Sequence, residues 1–328
     1  MKAVLWTKYG SPDLLNIGEV DKPIPKDDEV LVEVHASNVT PGDCEIRRFD
    51  MHVLFWFPVR IYMGLFKPKR PILGMELSGE IEAVGKNVNQ FKVGDHVAAG
   101  TGMGLGAYAE YKCLKESAFM SPKPSNLSFE EATTIPTGGT NALHYIRKAN
   151  LQSGQKVLII GAAGCFGTYT VQLAKLAGVE VTAVDSTDKL EALRSIGADN
   201  VIDFTKDDFV KNGEVYDVIF DIAGKNSVSR NMKSLKNNGR YILATPWVKQ
   251  VLQGLWSSVI SGKKFIFSLA NERIEDLVYL TGLIEAGKLK PVIDRIYPLE
   301  KTVQAHHRVE SGQKIGHVVI SMNNPAAS

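Results

Sequence analysis

Hydrophobic and polar positions change rhythm part-way along this 328-residue chain. Over residues 1–120 the apolar positions come in short runs, at 3–7, 29–36, 77–84 and 96–99, parted by Gly, Pro, Asn and Asp. That pattern predicts strands joined by turns, with Gly94-Asp95 turning into the last of them. From Val157 onward short apolar runs alternate with helical stretches. Strands are expected at 157–160, 179–184, 201–202, 217–220 and 240–244, and helices at 167–177, 188–196 and 227–235. Strands this apolar have no wet face, so they predict a parallel sheet covered by helices on both sides. A strand at 265–269 and a helix at 274–286, with Gly287 just past its cap, follow. Residues 291–328 return to a β pattern that ends at 316–320. Between the two regimes, Ser128-x-x-Glu131 has capping-box spacing and opens a helix through Thr134, and a second helix covers 142–149.

One junction within the alternating part carries chemistry. The run Val157 to Ile160 turns through Gly161-Ala162-Ala163-Gly164-Cys165-Phe166-Gly167 into a helix. Read as Ala162-x-Gly164-x-x-Gly167, it is a dinucleotide-binding turn of Rossmann type with Ala at the first position. It offers a bare backbone at Gly164 where a pyrophosphate can approach, a glycine at Gly167 for close helix–strand packing, and a helix N-terminus that favours anions. The next strand ends in Asp185, near the ~20-residue offset at which a carboxylate meets the adenosine ribose.

Residues 51–66, MHVLFWFPVRIYMGLF, break the β pattern and are followed by Lys67-Pro68-Lys69-Arg70. They read as a helix or loop packed on the β-module, as an apolar wall over a substrate cleft, or as a surface segment touching membrane. Composition changes little else. The chain is 44% hydrophobic and 23% charged, with 38 basic and 36 acidic residues and a net charge of +2, so no nucleic-acid partner is expected. Cys44, Cys113 and Cys165 form no Cys-x-x-Cys, which points to a reducing, cytoplasmic setting. The first residues enter a strand without a signal-peptide pattern, and no apolar run reaches the length of a membrane span.

Several motifs occur in a telling order: 39–43 (VTPGD), 74–80 (GMELSGE), Val84-Gly85, 93–97 (VGDHV), the turn at 161–164 with Gln172-Leu173-Ala174-Lys175, Gly197-Ala198-Asp199, and 314–320 (KIGHVVI). On these the chain resembles, nearly end to end, the medium-chain dehydrogenase/reductase superfamily, and within it the zinc-independent quinone oxidoreductases of the zeta-crystallin type. The resemblance implies an α/β fold: a GroES-like β-rich catalytic domain over 1–123 and 290–328, interrupted by a Rossmann domain over 124–289. It also implies a homodimer.

The positions that match the catalytic zinc ligands of metal-dependent members are Thr40, Met75 and Thr137. Two hydroxyls and a thioether cannot build a site for an ion that wants thiolate, imidazole or carboxylate. The resemblance then implies metal-free hydride transfer from NADH or NADPH to a quinone or an α,β-unsaturated carbonyl. Hydrogen-bond donors would stabilise the charge that develops on oxygen. Candidate groups are the Thr40 hydroxyl, the Asn141 amide and Tyr62 as proton donor, with Asp43 beside Thr40; a capped turn is the structural alternative for Thr40 and Asp43. On the cofactor side stand Ala162, Ala163, Gly164, Cys165, Phe166 and Gly167, then Asp185, Ser186, Lys189 and Phe204, and then Ala223, Ala244, Thr245 and Lys314. Asp185 favours NADH, whereas Lys189 matches a 2′-phosphate contact of NADPH-using relatives. His96 is expected to be structural, and His306 and His307 to lie at the surface or a domain contact. Rival readings are a reductase for one carrier-bound enoyl chain and a nicotinamide-binding sensor or interaction protein with low turnover. Peripheral membrane contact through 51–70 or 248–267 is a third.

Overall fold

The computed structural model describes residues 1–50, 53–224, 227–245 and 247–322. Met51 and His52, where the apolar segment begins, and residues 323–328, at the end of the expected catalytic domain, lie outside the described residues. The chain opens with β1 (Lys2–Trp6), β2 (Leu15–Glu19), β3 (Glu29–Val39), α1 (Pro41–Arg48), α2 (Val53–Met63) and β4 (Glu76–Val84). Next come β5 (His96–Gly100), β6 (Tyr111–Lys115), β7 (Met120–Pro122), α3 (Phe129–Ala132) and α4 (Thr140–Ala149). The alternating part follows as β8 (Lys156–Ile160), α5 (Cys165–Leu176), β9 (Glu180–Asp185), α6 (Leu190–Ser195), β10 (Asn200–Asp203) and β11 (Tyr216–Asp221). It continues with α7 (Val228–Asn231), β12 (Leu235–Leu243), α8 (Val248–Ser261) and β13 (Lys264–Phe267). The chain closes with α9 (Ile274–Glu285), β14 (Ile293–Pro298), α10 (Thr302–Glu310) and β15 (His317–Ser321).

Packing divides the chain into two units, one of residues 1–137, 273–287 and 291–328, the other of 138–272 and 288–290. The division falls at 137/138, where the motifs suggest 123/124. The helix α9 packs with the first unit: Asn126 donates to the Ile284 carbonyl, and Ser125 donates to the Glu285 carboxylate.

In the first unit a sheet runs in the order β14-β15-β3-β4-β5-β7, with β6 also paired to β3. The long strand β3 is its hub. Register shifts at Leu31/Val32 and Val34/Ala36 bend it, so that one end pairs with β6 and the other with β15. Trp6, Val39, Leu73, Tyr108 and Val318 fill the core on one side, and Val32, Leu77, Ile81 and Val97 the other. The second unit is a parallel sheet in the order β10-β9-β8-β11-β12-β13, all its pairs parallel. Val157, Leu158 and Ile159 are wholly buried, as a sheet covered on both faces requires.

Three local readings change. The helix expected at 227–235 shrinks to α7, because Leu235 already belongs to β12 and pairs with Tyr216. The helix expected at 188–196 begins as a 3-10 turn over Thr187–Lys189 before α6. The apolar run 248–267 divides into α8 and β13. Among the described residues no helix is long and apolar enough to cross a membrane.

His306, expected at the surface or a domain contact, is completely buried. Its Nδ1 accepts from Arg47 Nε at 3.4 Å and faces Cys44 Sγ at 3.3 Å, while Arg47 also donates to the Gly10 carbonyl and pairs with Glu310. His307, by contrast, is exposed and meets Asp13 at 3.0 Å. Burial, and then the Arg47 charge, push the His306 pKa down to about 3 from the usual 6.5. The unfolded chain therefore takes up a proton below pH 6.5 that the folded chain refuses. This contribution to stability is full above pH 6.5 and is lost as the pH falls toward 3. Urea denaturation from pH 6 to 4 should show wild type losing about 1.4 kcal/mol per pH unit relative to His306→Gln. Parallel pH profiles for the two proteins would refute it.

Candidate active site

The order of the parallel sheet reverses between β8 and β11, and in such sheets ligands bind beyond the carboxyl ends of the strands at that point. Here β8 ends at Ile160 and is followed by Gly161, whose φ of 80° turns the chain sharply toward α5. Gly164 is the N-cap of α5 and no side chain caps that end. A Cβ at Gly164 would meet only the Gly161 carbonyl, at 3.6 Å, so the space beside it is open. The first-turn residues Cys165, Phe166 and Gly167 present the helix N-terminus to that space. Gly167 has a different duty: a Cβ there would lie 2.4 Å from the Ala162 carbonyl oxygen. An uncapped helix start over an open, bare turn fits the pyrophosphate of a nicotinamide dinucleotide.

The other cofactor candidates of the second unit gather at the same strand ends. Asp185 closes β9; its Oδ2 accepts from the Ala163 N–H at 3.0 Å, and its Oδ1 accepts from the Ser186 N–H at 3.0 Å. Lys189 Nζ stands 3.0 Å from that same Oδ1, and both side chains are nearly buried. The acid that was expected to face a ribose thus also braces the turn and is paired with a cation. Ser186 donates to Asp188, and Phe204 is exposed. Ala223 N–H donates to the Ile160 carbonyl beside Gly161, the Thr245 hydroxyl donates to the Ile222 carbonyl, and the Ala244 carbonyl accepts from Tyr145. Lys314 belongs to the first unit, where its ammonium donates to the Gly316 carbonyl at 2.6 Å.

Two groups that no motif singled out hold these loops. Tyr241 donates to Asp221 Oδ2 at 2.5 Å, and Asp221 Oδ1 accepts from the Gly224 N–H at 2.8 Å. Burial pushes the Asp221 carboxyl up. The Tyr145 hydroxyl donates to the Ser268 carbonyl at 2.6 Å, and burial pushes its pKa up to about 12. An acid at the end of an apolar strand was the available signal for Asp221; nothing local marked Tyr145.

In the first unit Thr40 and Asp43 follow the structural alternative, a capped turn. Thr40 is the N-cap of α1 in a full capping box with Asp43. Its hydroxyl donates to Asp43 Oδ2 at 2.7 Å, its N–H donates to the same oxygen at 2.9 Å, and Asp43 N–H donates back to Thr40 Oγ1 at 3.1 Å. A hydroxyl has one hydrogen, and this one is spent. The pair reads as a capped turn rather than as donors to a substrate. Asp43 is fully buried, and burial pushes its pKa up to about 6 against the pull of these bonds. Tyr62 is half-exposed on α2, and its hydroxyl accepts from Arg70 at 3.0 Å. Asn141, on α4 of the second unit, is part-buried.

The positions that match zinc ligands do draw together within the first unit. A Cβ at Gly42 would meet Met75 Sδ at 3.3 Å and Thr40 Oγ1 at 3.4 Å, and the Thr137 N–H donates to the carboxylate of Glu76, next to Met75. Glu76 is fully buried and also accepts from Asn38, whose amide reaches His317 Nδ1 at 3.0 Å. Burial pushes the Glu76 carboxyl up to about 7. Among the described residues no group of three His, Cys, Asp or Glu side chains is disposed to hold a metal ion.

Residues 26–126 match the alcohol dehydrogenase GroES-like domain, and residues 196–320 match the zinc-binding dehydrogenase family. The chain is 32% identical to 2-methylene-furan-3-one reductase of Solanum lycopersicum, over 98% of its own length and 79% of that protein's. The chain belongs to the medium-chain dehydrogenase/reductase superfamily. Within this superfamily it falls in the metal-free quinone oxidoreductase-like group. A further member, the NADPH-dependent alkenal/one oxidoreductase of Arabidopsis thaliana chloroplasts, is 29% identical over 98% of this chain and 79% of that one. The quinone oxidoreductase of Coxiella burnetii has the same fold, with a TM-score of 0.88 at 28% identity over 98% and 99% of the two chains. The GroES-like and Rossmann architecture of the superfamily is thus that of this chain.

Proposed function

We propose that this protein is an NAD(P)H-dependent reductase of quinones or α,β-unsaturated carbonyls that works without a metal ion. The observation that carries the reading is the open turn at Gly164 over the uncapped start of α5, in a chain whose zinc-ligand positions are Thr40, Met75 and Thr137. The backbone of Ala162 to Gly167 would hold the pyrophosphate, with Asp185, Ser186, Lys189 and Phe204 at the adenosine end. Ala223, Ala244 and Thr245 would border the cofactor farther along. When bound, NAD(P)H supplies the hydride. Asn141 has an amide whose N–H groups can donate to the acceptor's oxygen as charge develops there, and backbone N–H groups are the other donors in reach of such a role. Thr40 keeps α1 in place instead, its hydrogen being committed to Asp43.

NADH is the favoured cofactor in this reading, with NADPH admitted. The Lys189 charge beside Asp185 offsets the repulsion that a lone carboxylate would exert on a 2′-phosphate. Cys44, Cys113 and Cys165 are in no disulfide, which fits a reducing, cytoplasmic setting, and a homodimer is the assembly we expect.

The test is steady-state oxidation of NADH and NADPH with 1,4-benzoquinone, 9,10-phenanthrenequinone and a short alkenal, each with EDTA present. Turnover that persists in EDTA with NADH preferred is the expected result. Loss of activity to EDTA would overturn the metal-free reading. Tight cofactor binding with no turnover on any acceptor would replace the enzyme with a low-turnover sensor.

A further inference from the structure

We propose that the outer face of α2, with the loop that follows it, docks on the surface of an anionic lipid bilayer. The inner side of this helix is pinned to its own unit. The Arg60 guanidinium lies 3.7 Å from the Tyr9 ring centre and 4.4 Å from that of Phe49. Trp56 meets Phe49 edge-on, with ring centres 5.7 Å apart, and the Tyr9 hydroxyl donates to the Gly64 carbonyl at 2.8 Å. The helix cannot roll about its axis without breaking this box. What it turns outward is therefore fixed: Phe57, Ile61, Leu65 and Phe66 are 63%, 48%, 50% and 93% exposed. Phe57 and Ile61 are spaced four apart within α2, which keeps them on one side of the helix.

Charge decides what such a face fits. Residues 51–75 contain no Asp or Glu, but they contain Arg60, Lys67, Lys69 and Arg70. Lys67 is exposed, Lys69 donates to the Ile61 carbonyl, and Arg70 donates to the Tyr62 hydroxyl, so the last two rest on neutral oxygens. Cations with no carboxylate partner among the described residues, beside exposed aromatic and aliphatic side chains, complement an anionic headgroup layer with acyl chains beneath it. A protein partner would need matching acids and a shaped apolar pocket, and a second copy of this segment would bring cation against cation. The exposed apolar side chains of α8, among them Leu252, Trp256 and Val259, lie in a stretch, 222–271, that also lacks Asp and Glu; there Lys249 and Lys264 are exposed, and Lys263 is tied to the Met232 carbonyl. That helix serves as the internal control.

Flotation of the full chain with vesicles tests the assignment. One set is phosphatidylcholine alone, the other phosphatidylcholine with phosphatidylserine, each at low and high salt. Binding is expected on the anionic set only and should fall as salt rises. Phe57→Ser with Phe66→Ser should weaken it about tenfold or more, and Lys67→Glu should lower it further, while Trp256→Ser with Val259→Ser leaves it unchanged. NADH binding and the thermal midpoint report folding of each variant, and the salt dependence of wild type needs no variant. No flotation with anionic vesicles at low salt would overturn the proposal. So would loss of binding in the α8 variant alone, or a halved solution mass for the Phe57/Phe66 variant, which would make this face a contact between copies.

Discussion

Gly167→Ala should abolish dinucleotide binding and destabilise the second unit by roughly 2–4 kcal/mol. An added Cβ would sit 2.4 Å from the Ala162 carbonyl oxygen, 2.5 Å from that of Gly161 and 2.6 Å from the Ala162 carbonyl carbon. All three are backbone atoms of the turn, so no side chain can swing away to make room. Either α5 backs off from β8 or the turn deforms, and each outcome misaligns the helix start that faces the open space at Gly164. Urea denaturation measures the first effect, and a fluorescence titration with NADH measures the second. An alanine variant with the wild-type midpoint and affinity would show that the turn gives way cheaply, and the packing argument would fail. Gly164→Ala is the contrast: its Cβ would have ordinary space, so stability should hold while cofactor affinity falls.

A second large effect is expected at Asp185. Replacement by Ala removes the acceptor of the Ala163 N–H and leaves Lys189 buried without its carboxylate. Breaking such a pair from one side costs about 3–5 kcal/mol in buried settings. Both cofactors should therefore bind less well, as the turn loses its brace. The ratio is the discriminating quantity. With the Asp185 charge gone, the Lys189 charge should favour a 2′-phosphate, so kcat/KM for NADPH over NADH should rise about 10- to 100-fold relative to wild type. Lys189→Met should move the ratio the other way. If Asp185→Ala lowers both values equally, Asp185 is a brace for the turn with no part in choosing between the cofactors.

Much of this site can be read from residue order because its parts are local. Gly161 to Gly167 act through backbone shape, and backbone shape follows from glycines within a few positions of each other. The capping boxes at Thr40/Asp43 and Ser128/Glu131 have the same origin, each being a bond across three residues. Thr40 shows the limit of that legibility. The motif marks the residue, but only the bond list reveals that its one hydrogen goes to Asp43 and is not offered to a substrate.

What lies beyond reach of the chain order depends on partners distant in sequence. Asp185 meets Ala163 across 22 residues, and Asn38 meets His317 across 279. His306 is buried because α10 packs against α1, a contact that no local periodicity contains. The alternation of apolar and polar positions reports whether a residue faces a core, never which side chains it finds there. The sequence by itself determined the two-part architecture and the glycine turn at 161–167, since both follow from residue type and spacing along the chain; that Thr40, Met75 and Thr137 stand where zinc ligands would is what the family resemblance adds. Tertiary structure alone decided the pairing of Asp185 with Lys189 at the turn, the burial of His306 and Glu76, and the outward face of α2. Those depend on which elements pack together, and hydrogen bonds and desolvation act only once the chain has brought the groups within reach.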